Sequence, residues 1–497
     1  MKSTQSKVLL IILLFLLTGI FLCSCSPSPS ETEIPVQVSA IPPTEVPPTA
    51  VIVIQPNASA TQTISPSDSL SPTSLNESGP YVYYESEDRF WISNPDGSFL
   101  TLIAENIDHA NTAISPSGKS LAAITQEGDD FNLVEFSIPG GIPHQIDLLL
   151  TLTWADSRDA TGDKAIASYA VRKYPNLAWQ PTEGRYIAYA GARVGPTSDL
   201  YIYDRETRET TQLSEGAAQT IMPTWSPDGQ FVLSYGVSWV PPWGGAIVGF
   251  NEINGSWATR LSDEKIITQP QPQRINFLGW LNSTEYITFD SDPEATSGCA
   301  SGVFKAVNPA NRETRLLSDY CYQGPVSYSQ EYGTTLIFNS SDCSCSPGDG
   351  LFLLSKENFE PVFVMSGDIW EIHWMPENHA FWAYPEALVS GDGLEIFYPP
   401  PVRDAFEAAL SKAGYEAWKI YRDGEPEVVI KSGGGEWQTI MTQKVDQLLW
   451  DPVSGETLLI VLTDGTLFKA SAPNFIPEEI GNFGSGIREM GWILDAQ

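Results

Sequence analysis

One unit recurs along this chain and limits what it can fold into. Its clearest copy is Thr224-Trp-Ser-Pro-Asp-Gly-Gln-Phe-Val-Leu-Ser-Tyr-Gly236. An aromatic residue ends one strand, Ser-Pro-Asp-Gly turns the chain, and an apolar strand follows. Pro227 presets its own dihedral and Gly229 accepts a positive one, so the turn has a mechanism. Weaker copies begin at Ile114, Trp179, Trp280, Tyr328, Trp374 and Trp450, and a last aromatic, Trp492, stands near the C-terminus without a following strand. Each copy leads into a second alternating strand, best seen in Asp199-Leu-Tyr-Ile-Tyr-Asp204, with Thr210-Thr-Gln-Leu-Ser after it.

Four short strands per unit, repeated every few tens of residues, describe an all-β propeller. The unit resembles that of TolB-like and WD-repeat-like propellers: a strand ending in Trp, Ser-Pro-Asp-Gly, a strand, an Asp-Leu-Tyr strand and a Leu-Thr strand. The resemblance covers roughly residues 81–497. The markers at 114, 179, 225, 280, 328, 374, 450 and 492 number eight, at intervals of 65, 46, 55, 48, 46, 76 and 42 residues. A blade of this type takes about 40–45 residues. The expectation is therefore eight blades of four antiparallel strands, with seven as the alternative, and insertions near 146–176 and 385–414. Trp492 supplies an inner strand without outer ones; Tyr81-Val-Tyr-Tyr and Arg89-Phe-Trp-Ile-Ser93 supply outer strands without an inner one. Joining the two chain ends in one blade removes free sheet edges. The repeated tryptophans are read as packing between sheets rather than as a binding row.

The N-terminus carries Lys2 and Lys7, then an apolar run from Val8 to Leu17 that is short for a membrane-spanning helix. It ends in Leu22-Cys-Ser-Cys25, which resembles the bacterial lipobox. That resemblance implies cleavage before Cys25 and lipidation of Cys25. Residues 1–24 are then a signal peptide, and 25–79 a Pro/Ser/Thr-rich tether that lacks the residues for a core. Residues 80–497 form the propeller. The expected location is extracytoplasmic, in a bacterial cell envelope, lipid-anchored to the cell membrane or outer membrane.

A formal net charge of −34 argues against nucleic acid, whose phosphates demand clustered Lys and Arg. The four histidines, His109, His144, His373 and His379, lack metal-ligand spacing, so no metal or other cofactor is expected. A Gly-x-Ser-x-Gly elbow is absent. The remaining cysteines, Cys299, Cys321, Cys343 and Cys345, are disulfide candidates in an exported domain. The blade layout sends all four to one face. Three pairings are open, with Cys299–Cys321 and Cys343–Cys345 favoured. The same face is expected to carry a rigid apolar loop, residues 236–246, with Trp239 and Trp243 as binding-face candidates. It is also expected to carry a short helix over residues 403–413, with Val402, Phe406 and Leu410 as its apolar stripe. The function these features indicate is a non-catalytic binding or scaffold module for an envelope protein, peptide or glycan, with the membrane engaged through lipid alone. The alternative is a carbohydrate-active hydrolase or lyase using carboxylates in the channel. Replacing Cys25 by Ser should move the protein from the membrane pellet to the soluble fraction; an unchanged distribution refutes lipidation.

Overall fold

The marker aromatics are where the sheets meet. In the computed structural model, Trp179 Nε1 donates to the Ala113 carbonyl at 2.7 Å, Trp225 Nε1 to Ala178 at 2.9 Å and Trp450 Nε1 to Ala409 at 3.0 Å. Each indole therefore reaches from one sheet to the strand that opens the preceding one. The structure describes residues 74–494 except 78, 87, 159–161, 194, 196, 216–218, 241–248, 261–266, 271–276, 292–301, 341–343, 401–403, 433, 434 and 485. Leu70–Gln497 make one compact unit.

The described residues form nine four-stranded antiparallel sheets. Their innermost strands are Glu489–Ile493 for sheet 1, then Ile107–Ile114, Leu177–Trp179, Gln219–Trp225, Phe277–Trp280, Val326–Ser329, Glu371–Met375, Asp404–Leu410 and Val445–Trp450 for sheets 2 to 9. Sheet 1 joins both chain ends: Tyr81–Glu85 pairs with Glu489–Ile493, Tyr81 opposite Ile493 and Glu85 opposite Glu489. Nine apolar clusters occupy nine seams. Sheets 1 and 2 share Phe90, Ile92, Leu121 and Phe136, and sheets 9 and 1 share Leu459, Val461, Val82 and Tyr84. The other seven link each sheet to the next, so the ring closes.

The turn at residues 226–229 is built as its sequence requires. The Gly229 N–H donates to the Ser226 carbonyl at 2.8 Å, and Ser226 Oγ donates to Asp228 Oδ1 at 2.6 Å. Gly229 sits at φ +68°, where a side chain is disfavoured. At Gly279 the demand is space: a Cβ would stand 2.4 Å from the Tyr328 ring.

The expected count of eight sheets is corrected to nine. The extra one is Asp404–Leu410, Tyr415–Arg422, Glu425–Ser432 and Gln438–Met441, and its first strand lies where a helix over 403–413 was expected. Phe406 and Leu410 are four apart, a spacing that shares a face in a strand as well as in a helix. Ala405 and Ala408 are buried, whereas Phe406 is 44% exposed. Residues 385–414 are therefore not an insertion but mostly blade. The long interval before Trp179 holds an extended strand, Pro143–Thr151, and two helices, α1 (Trp154–Arg158) and α2 (Asp163–Lys173). Asn111 and Asn176 side-chain amides donate to the α2 carbonyls of Val171, and Arg172 pairs with Asp108 at 3.0 Å. Among the described residues no helix is long and apolar enough to cross a membrane.

Trp450→Ala should cost about 3–5 kcal/mol, since it empties a seam. Trp450→Phe should cost about 1–2 kcal/mol, since it leaves the buried Ala409 carbonyl without its donor. Chemical denaturation reads both. Equal and negligible losses would mean the indole does not hold the seam.

Candidate functional site

The cysteine face is built differently from the expectation. Cys321 pairs with Cys345, Cα atoms 5.3 Å apart across 24 residues, which corrects both favoured pairings, Cys299–Cys321 and Cys343–Cys345. The backbone explains it: the Cys321 N–H donates to the Cys345 carbonyl at 3.0 Å, so the two segments already run together. The bond ties the connection from sheet 5 to sheet 6 onto the loop between the second and third strands of sheet 6. Cys299 and Cys343 lie outside the described residues, as do Cys25 and Trp243. Trp239 is not in a loop. It belongs to strand Phe231–Val240, in register with Phe250 of strand Gly249–Arg260. The backbone pairing begun at Phe231 reaches Val240, with register shifts after Gly236 and after Ser238. Of the histidines, His373 contacts Glu371 at 3.0 Å and His379 contacts Glu331 at 2.9 Å, all exposed. Among the described residues no three His, Cys, Asp or Glu side chains are grouped to hold a metal ion.

The seam between sheets 2 and 3 is where polar chemistry collects. Its inner half is apolar, with Ile124, Leu133, Trp179 and Ile187. Its rim opens into a groove of about 640 Å³. Sheet 2 contributes Glu135, Ile142 and His144 to it; sheet 3 contributes Glu183, Arg185, Tyr203, Arg205, Glu206 and Arg208. Two guanidiniums are clamped. Arg185 donates to both oxygens of Asp204, at 3.1 and 2.6 Å, and pairs with Glu206 at 3.0 Å while lying over Tyr186. Arg205 lies over the Trp179 ring and crosses the seam to Glu135 at 2.6 Å. Forked, aromatic-backed guanidiniums of this kind are geometrically fixed. The Asp204 carboxyl is held below the usual range by Arg185. Arg208, exposed in the left-handed turn at φ +60°, has no ion pair among the described residues, and neither has Glu183.

Further along the same seam, Tyr189 donates its hydroxyl to Asp147, Arg193 pairs with Asp147 at 3.1 Å, and Arg193 lies over the Tyr201 ring. Burial pushes Asp147 up against the pull of Tyr189 and Arg193. Asp199, 3% exposed, is pushed up to about 6 by burial, with Ser214 pulling down and Glu215 adding to the rise.

A second polar group stands on the first and second strands of sheets 8, 9 and 1. Lys419 Nζ donates to Glu407 Oε2 at 2.5 Å and to the Asp446 carbonyl at 2.6 Å. Tyr83 donates to Glu489 at 2.7 Å. Desolvation, then the charge of Glu489, raises Glu377, with Glu407 adding to it. A cleft of about 250 Å³ beside them is lined by Glu377, His379, Trp450, Asp451 and Trp492.

The sequence reading named His144 but missed the arginines of the groove. The available signal was their placement: Arg172, Arg185, Arg193, Arg205 and Arg208 fall within 37 residues of a strongly acidic chain.

No protein-family model matches this chain, and no curated relative matches it. Among solved structures it is similar to TolB of Acinetobacter baumannii, at 10% identity and TM-score 0.29, over 84% of this chain and 67% of that one. It is also similar to a eukaryotic initiation factor, at 12% and 0.47, over 83% and 98%. A third is dipeptidyl peptidase 4 of Porphyromonas gingivalis, at 10% and 0.44, over 76% and 60%. At these values the propeller assignment rests on the nine sheets and their seams. Fold and site together define an all-β propeller with a charged groove at its rim.

An Asp199 pKa raised in the folded state means that folding binds a proton more tightly than the unfolded chain does. Its stabilisation is present below about pH 4 and is lost as pH rises to about 6, a loss of at most roughly 3 kcal/mol. Relative to the parent, Asp199→Asn should gain in melting temperature as pH goes from 4 to 7. A pH-independent difference would contradict this.

Proposed function

We propose that this chain is an extracytoplasmic lipoprotein, anchored through Cys25 to a membrane of a bacterial cell envelope, whose propeller binds a protein, peptide or glycan without transforming it. The rim groove is the observation that carries the reading. Its Arg185 and Arg205 are immobilised by ion pairs and ring stacking before any partner arrives, and a preorganised surface loses little side-chain entropy on binding. Residues 25–79 suit a spacer that presents such a surface away from the bilayer.

The test is recovery from detergent-solubilised native envelopes. A folded Cys25→Ser protein should retain a specific partner. If residues 236–246 also contribute, Trp239→Ala with Trp243→Ala should lower affinity roughly thirtyfold, the usual cost of losing an aromatic anchor of about 2 kcal/mol. A folded parent that recovers no partner overturns the binding reading.

The hydrolase or lyase reading keeps one observation in its favour. Desolvation and the charge of Glu489 raise the Glu377 carboxyl, the direction a general acid requires. Turnover of an envelope polysaccharide that Glu377→Gln abolishes would establish that reading instead.

A further inference from the structure

We propose that the groove between sheets 2 and 3 docks an extended acidic peptide, whose backbone pairs with the outer edge of strand Pro143–Thr151 and whose carboxylate takes Arg208. The proposal rests on the binding reading above and names the ligand class.

The first ground is the strand. Pro143–Thr151 closes sheet 2 on its outer side and runs nine residues. The other outer strands run two to five residues, from Ile396–Phe397 to Thr101–Glu105. Short edges are how sheets avoid unwanted pairing, and a long one is a template for an added strand. Its far half is engaged, since the Ala192 N–H donates to the Leu149 carbonyl at 2.9 Å. Its near half, with Pro143, His144 and Gln145 all exposed, runs beside the groove, and His144 lines it. The register shifts at Ile146, so the regular part of this edge is Pro143–Gln145, where Pro143 offers a carbonyl without an N–H. A short strand added there pairs with backbone groups, which a peptide presents and a sugar chain does not.

The second ground is charge. Arg185 and Arg205 spend their donors on Asp204, Glu206 and Glu135. Arg208 remains, an exposed fork on the wall opposite the strand, and a carboxylate is its natural bidentate partner. His144 on the strand side adds a second donor. Glu183 is the opposing charge and limits the affinity of an acidic ligand.

The probe is an acetylated, amidated octapeptide alternating threonine with glutamate, fluorescently labelled and followed by anisotropy on the intact protein. Arg208→Gly is the informative variant, because glycine accepts the positive φ of that turn and the fold is kept. It should weaken binding at least tenfold with an unchanged melting temperature. Glu183→Gln should tighten it. A probe N-methylated at alternate amides should bind at least tenfold more weakly, through lost backbone pairing. Equal binding of the N-methylated probe, or of polygalacturonate in competition with the peptide, overturns the strand-pairing peptide. Failure of the parent to bind at millimolar probe, while it still recovers an envelope partner, overturns the groove alone. Bound probe that is cleaved, by mass spectrometry, overturns the non-catalytic reading and leaves the groove standing.

Discussion

Everything in this ring depends on the contact each sheet makes with the next near the axis. A four-stranded sheet has two faces to cover and two edges to manage, and it cannot do either alone. The faces are covered by the neighbouring sheets, seam by seam. The marker residue makes the seam specific: Trp179, Trp225 and Trp450 each place a large ring in it and anchor the polar end on a carbonyl of the preceding inner strand. Tyr328 does the same with its hydroxyl on the Trp280 carbonyl at 3.0 Å. Burial without the hydrogen bond would leave sheet spacing to packing alone; the bond adds a fixed register between sheets. The last seam closes because sheet 1 takes its inner strand from one chain end and three outer strands from the other.

That dependence explains what was legible in the sequence. Fold class was readable because the marker, the turn and the strand are local and repeat. Residues 226–229 announce their turn through Ser226, Pro227, Asp228 and Gly229 together. Sheet 8 was missed because its first strand does not end in an aromatic. Its first strand ends in Ala409 and Leu410, and its turn is Ser411-Lys-Ala-Gly414, where only the serine and the glycine survive. The Gly414 N–H still donates to the Ser411 carbonyl at 2.9 Å, so the turn forms without its proline. A seam needs volume rather than a particular ring, and Trp418 on the second strand, buried against Trp382, provides it. The cysteine pairing was illegible for a different reason. Which thiols meet depends on how a connection crosses a face, and sequence separation carries no information about that.

The groove was illegible because it is a property of two sheets at once. Asp204, Arg205, Glu206 and Arg208 read as a solvated charged turn when seen along the chain. Only the neighbouring sheet supplies Glu135, which turns Arg205 into a bridge across the seam. Blades diverge toward the rim of any propeller, so apolar contact must stop somewhere along each seam. Between sheets 2 and 3 it is continued by guanidinium groups lying on aromatic faces: Arg193 on Tyr201 and Arg205 on Trp179. Guanidinium suits this task, because its plane stacks as a ring does while its edge stays open to carboxylates.

The charge balance of the molecule gives this placement its consequence. With 61 acidic residues against 27 basic ones, most of the surface repels an anion. A cation left unpaired on such a surface is neutralised by default, since carboxylates are everywhere within reach. Asp204, Glu206 and Glu135 do neutralise two guanidiniums of the groove, and the left-handed turn at Arg208 carries a third beyond them. Acidity elsewhere bears on the docking proposed for this site. On the docking proposed above, an acidic chain is turned away from the rest of the surface, at ranges set by the Debye length, and is held at Arg208. The specificity of the proposed groove would then be built as much by the carboxylates outside it as by the arginines within.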